Sequence, residues 1–265
     1  MPNEDIEKKL EVPAIDGLGF QPLSTGKAYW EVVKGYNLRP MEEFAGINIA
    51  EFKREMAEKV KEMGPSRLMR GDTQYFCSDK IEKISFGWTV LRKTIVASGC
   101  MGWPRDDYDF PILTLDWDES EKHVHIIADF MPLTDIVVND WYREKYLDGI
   151  EPKYKEFGDL LDAPPNPINW FRSFTSPYVI AGKPDADPGR TMVQRAQDCL
   201  VTYLKYWMEE IVAKAEPIKD PAHKEYVNKK KAKIRDILKR KDPGGPPMVA
   251  LMGKELAWKS LTLLF

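Results

Sequence analysis

Apolar residues between positions 42 and 63 fall at Phe44, Ile47, Phe52, Met56 and Val60, close to the turn of an α-helix, and Gly64-Pro65 ends the pattern. An amphipathic helix is predicted there. The rhythm then changes to β-branched and aromatic runs at 83–97, 110–117 and 123–130, separated by polar or Gly/Pro breaks, which predict strands. The connection Asp118-Glu119-Ser120-Glu121-Lys122 is short and polar, favouring an antiparallel hairpin over a crossover. A short strand is predicted at 176–180. Helical periodicity returns at 191–215, where Leu200, Leu204, Trp207, Met208 and Ile211 share a face, and again at 221–240 and 249–264. Helices, then strands, then helices predict an α+β fold, with residues 1–265 as a single domain and 1–65 as its helical and irregular N-terminal part.

Composition narrows the class. The 265 residues hold 43% hydrophobic and 31% charged positions, which excludes a fibrous or disordered chain, and no apolar run nears the roughly 18 residues of a membrane span. A net charge of −3 argues against a general nucleic-acid binder. The charge is unevenly spread: residues 224–241 carry a surplus of +7, so the remainder carries −10, which suggests either a solvated helix face or a docking site for an acidic partner. Cys77, Cys100 and Cys199 lack paired spacing, and with His123, His125 and His223 they form no zinc or iron–sulfur signature. The acidic start MPNEDIEKKLEV resembles neither a secretory signal nor an organelle transit peptide.

Phosphate-binding and nucleophile-elbow motifs are absent. The strand PILTLDWD carries the chemistry of interest: alternation puts Ile112, Thr114 and Asp116 on one face, where burial would raise the Asp116 pKa and let it hold a proton near neutral pH. The same position also suits an aspartate that caps the hairpin with Asp118. Asp129 and Asp242 are equally open between catalysis and turn formation. His123 and His125 share a strand face, a placement more common for surface or packing residues.

In order and spacing, GWPRDDYDFPILTLD, ADFMPL, FTSPYVIAGK, CLVTYLKYWMEEIVAKA and RKDPGG followed by GKELAWKSLTLLF resemble the ferredoxin-dependent bilin reductases over roughly residues 66–265. The resemblance implies a three-layer α/β/α sandwich with a central antiparallel sheet and an open-chain tetrapyrrole, biliverdin IXα or dihydrobiliverdin, between sheet and helices. No cofactor would be bound, and single electrons would come from reduced [2Fe-2S] ferredoxin. The family's catalytic aspartates fall on Asp116 and Asp242, with propionate contacts at Lys183, then Arg92 and Lys93, and substrate-binding Ser176 in the FTSPYVIAGK segment. Ferredoxin would meet Lys229, Lys230, Lys231, Arg240 and Lys241, and the next bilin reductase would take the product. A monomer is expected, with no nucleic acid and no membrane, in the plastid stroma of an alga (its leader absent from this chain) or the cytoplasm of a cyanobacterium or phage host.

The resemblance also narrows the reaction. Exo-vinyl-reducing members use a histidine and a glutamate where Gly99 and Gly87 stand, which makes that reaction unexpected here. The YDFP, DFMPL and YLKYW pieces resemble the branch that reduces the C15–C16 methine bridge of biliverdin IXα to 15,16-dihydrobiliverdin, although that branch usually carries Asn at the Gly99 position. Reduction of the dihydrobiliverdin A-ring diene to phycoerythrobilin is the alternative. A non-catalytic bilin-binding protein is the competing class, against which acids at both 116 and 242 argue.

Overall fold

The computed structural model describes residues 3–63, 69–91, 94–161 and 170–265. Its centre is an antiparallel sheet built from β1 (Arg39–Pro40), β4 (Met69–Cys77), β5 (Ile81–Leu91), β6 (Ile95–Ala97), β7 (Cys100–Pro104), β8 (Ile112–Glu119), β9 (Val124–Met131) and β10 (Ile180–Gly182). The path runs β1-β4-β5-β6-β8-β9-β10, with β7 continuing β6 between β5 and β8. The β8–β9 hairpin forms as expected, pairing Glu119 with Val124 and Ile112 with Met131.

Alternation divides the sheet into two unlike faces. One is almost wholly apolar: Phe76, Ile84, Phe86, Cys100, Leu115, Ala128 and Phe130 pack in the main core. That core is completed by α1 (Asn3–Leu10), α2 (Thr25–Val33) and α6 (Thr191–Tyr206), through residues such as Leu10, Tyr29, Leu200 and Tyr203. The other face begins apolar at Met101, Trp103, Ile112 and Met131, which meet Val227, Ile234 and Leu238 of α7 (Pro221–Lys241) and Leu261 of α9 (Lys254–Leu264). It then turns polar at Thr114, Asp116, Asp118, His125 and Asp129. Helices on both sides of one antiparallel sheet give the three layers expected. Among the described residues no helix is long and apolar enough to cross a membrane.

Several boundaries differ from the sequence reading. The predicted 42–63 helix is α3 (Ile49–Met63), because Ala45 and Gly46 adopt positive φ and turn 43–48 into a small hairpin, β2 (Glu43–Phe44) with β3 (Ile47–Asn48). The single strand predicted at 83–97 is β5 plus β6. The last predicted helix is two, α8 (Gly245–Met252) and α9, separated by Gly253 at φ 85°. The strand predicted at 176–180 begins only at Ile180 and runs on to Gly182 as β10. Between β9 and β10, α4 (Asp140–Tyr146) and α5 (Glu151–Glu156) were not anticipated. A π-helical stretch, Trp207–Val212, extends α6.

Candidate active site

Asp116 sits near the middle of β8. The register that pairs Ala97 with Asp118 and Cys100 with Leu115 puts Gly99 across from it, and Ile127 of β9 flanks its other side. The same arithmetic on β5 puts Gly87 beyond Gly99. The carboxyl is therefore bordered on one side by two residues without side chains. The Asp116 side chain keeps 45% of its surface open on the polar face of the sheet. Burial, then the negative charges of Asp118 and Asp242, push its pKa up to about 8. Asp116 thus holds its proton at neutral pH, as its uncharged strand neighbours suggested.

Three acids and a histidine converge here. Asp118 shares the Asp116 face, two residues along β8, and burial raises its pKa while His125 opposes the rise. His125 lies directly across the ladder from Asp118, and its Nδ1 is 4.0 Å from Asp116 Oδ2. Asp242 ends α7: its Oδ1 accepts a 2.7 Å hydrogen bond from the Gly244 N–H, so it forms a turn as its sequence context suggested. It is also half-buried and close enough to Asp118 for that charge, after desolvation, to raise its pKa. Asp242 therefore forms the turn and also faces the other two acids. Deeper along the same face, Asp129 is fully buried and raised to about 7 by desolvation, against the opposing effect of hydrogen bonds from Ser176. Ser85 and Thr114, also on this face, bury hydroxyls that have no hydrogen-bond partner among the described residues, groups suited to meet polar atoms of a ligand.

The other expected site residues divide. Lys183 is exposed, and the β9–β10 register, continued through the His123–Asp185 bridge, puts it opposite His125. Arg92 and Lys93 lie outside the described residues. Ser176 is corrected: it is buried, its Oγ donates at 2.6 Å to Asp129 and accepts from the Tyr178 N–H, so it positions a carboxylate and is not turned to a substrate. Lys231 is also corrected. Its side chain is 4% exposed, and Nζ donates to the Pro104 carbonyl at 3.0 Å and to Asp106 at 2.5 Å, which removes it from any docking face. Lys230 is half-buried and donates to the Thr134 carbonyl. Lys229, Arg240 and Lys241 are exposed, with Arg240 paired to Asp236.

Sequence reasoning missed Asp118 and His125 as site members, although hairpin arithmetic held the signal: pairing 119 with 124 forces 118 onto 125. It also missed the spacing of Val227, Lys231, Ile234 and Leu238, which puts the lysine inside the buried stripe of α7. Two clefts, one lined by Tyr36, Lys80 and Met208 and one by Asp109, Trp141 and His223, include none of the converging acids.

The fold is an antiparallel sheet between helical layers, with a protonated aspartate on its polar face. A sequence model of the ferredoxin-dependent bilin reductases matches residues 38–264, and the chain belongs to that family. It is an oxidoreductase that reduces a bilin. Among solved structures, phytochromobilin synthase from tomato in complex with biliverdin is similar in fold, with a TM-score of 0.59 and 18% identity over 79% of this chain and 80% of that one. No curated protein sequence matches the chain.

Proposed function

We propose that the protein reduces biliverdin IXα at the C15–C16 methine bridge to 15,16-dihydrobiliverdin, taking two single electrons from reduced ferredoxin and two protons handed over by Asp116, with Asp242 as the second acid of the site. The observation that carries this reading is Asp116: a carboxylic acid with its pKa at about 8, open on the polar face of the sheet and bordered by Gly99 and Gly87. A bilin that has gained an electron is more basic, and an acid poised beside it supplies the matching proton. The Asp116 O–H bond breaks as a bond to hydrogen forms on the bilin. The carboxylate left behind stands beside Asp118 and Asp242, and that repulsion favours its reprotonation. Gly99 and Gly87 offer no second proton-transfer group at the positions that serve exo-vinyl reduction in the resembling enzymes, which supports the methine bridge as the target.

The exposed Lys183 suits a propionate, as an orienting contact more than a source of affinity. The exposed Lys229, Arg240 and Lys241 suit an acidic electron donor. The test is anaerobic incubation with biliverdin IXα, ferredoxin and a reducing system, followed by chromatography of the pigment. The expected product absorbs at shorter wavelength, because saturating the central bridge shortens the conjugated path. Turnover of dihydrobiliverdin but not of biliverdin would assign the A-ring reaction instead.

A further inference from the structure

Reducing one double bond consumes two electrons and two protons, and Asp116 holds one proton at a time. The Asp116 side chain is 45% exposed on the polar face, and a bilin bound against that face would cover the direct route from water. A second route runs along the same face of the sheet, through the neighbouring strand. His125 lies on the neighbouring strand, with Nδ1 at 4.0 Å from Asp116 Oδ2, a gap that a ring rotation or one bridging water closes. Its side chain keeps 22% of its surface exposed. Asp118, directly across the ladder, faces the same ring.

We propose that His125 acts through Asp116, passing it a proton from solvent between the two electron transfers, with Asp118 orienting the imidazole. This rests on Asp116 as the proton donor to the bilin. In the step, an imidazolium N–H bond breaks and the Asp116 O–H bond re-forms. The neutral ring then takes a proton from water. No electrons move here; both arrive singly at the bilin from the reduced iron–sulfur donor. The charged groups around the ring are Asp116 and Asp118 on β8, His123 farther along the strand edge, Lys183 after β10 and Asp242 at the end of α7.

The test loads the protein with biliverdin IXα, delivers electrons from photoreduced ferredoxin and follows the bilin radical by electron paramagnetic resonance and absorbance. In His125→Gln the radical should form in wild-type yield and biliverdin affinity should stay within about twofold, while radical decay slows by about tenfold or more and keeps only the pH dependence that Asp116 gives it. Imidazole added to His125→Ala should restore the decay, which separates proton delivery from a structural role. Wild-type decay with a wild-type pH profile in both variants would overturn the relay and leave Asp116 as donor. Normal turnover in Asp116→Asn would instead overturn the donor assignment, and the relay with it.

Discussion

Ser176 grips Asp129 twice: its Oγ donates at 2.6 Å to Oδ1, and its backbone N–H lies 3.2 Å from both carboxylate oxygens. The segment leading into β10 is thus fastened to the polar face of the sheet by a carboxyl buried beyond the reach of solvent. Desolvation outweighs those hydrogen bonds and leaves the Asp129 pKa raised to about 7.

That shift has a definite sign in stability. The folded state binds a proton that the unfolded chain, titrating at about 4, releases, so the stabilisation is full below about pH 4 and is lost as pH rises through about 7. Asp129→Asn removes this titration. The melting temperature of the variant relative to wild type should therefore climb between pH 4 and 7 and level off above. The effect is on the order of 4 kcal/mol, and a flat difference across that range would show that Asp129 does not titrate there.

Asp116→Asn keeps the shape of the acid without its proton. Biliverdin should bind as in wild type while turnover falls by about 10² or more, with a persistent radical. In wild type, radical protonation should decline as pH rises through about 8, where Asp116 loses its proton. Asp118→Asn removes a charge that raises the Asp116 pKa, so this decline should move to lower pH. Rates measured against pH in the two proteins check the direction.

The two glycines beside Asp116 differ in what they tolerate. A Cβ at Gly87 would lie 2.2 Å from the Asp72 carbonyl oxygen and 2.6 Å from Thr73 Cα, so Gly87→Ala should cost about 2–3 kcal/mol and lower the melting temperature by about 5–10 °C. At Gly99 the nearest atom, the Leu115 carbonyl oxygen, would be 3.7 Å away. Gly99→Ala should therefore stay within about 1 kcal/mol of wild type in a denaturant titration.

The basic helix separates binding from folding. Lys229→Glu with Lys241→Glu, both at exposed positions, should slow electron delivery and weaken its salt dependence without changing pigment affinity. Lys231→Glu should instead destabilise the fold by about 3 kcal/mol or more, because it buries an acid beside Glu82 and Asp106. Stopped-flow reduction at several ionic strengths, with thermal melts alongside, distinguishes the two.

What the chain determined by itself was local. Periodicity fixed the helix at 191–215 in outline and the β8–β9 hairpin, and the alternation of PILTLDWD put Asp116 on a face shared with Thr114, because neighbouring side chains in a strand point oppositely whatever packs on them. The order of the motifs pointed to the family that residues 38–264 match. Tertiary structure decided everything that depends on a second segment. His125 joins Asp116 because the pairing register of two strands brings them to 4.0 Å. Ser176 turns to Asp129 because a distant loop folds back on β9. Lys231 leaves the basic surface because α7 packs on the loop after β7 and presents it to Asp106. Burial also sets the Asp116 pKa, since a carboxyl gives up its charge only where the surrounding chain has removed water and set other acids beside it.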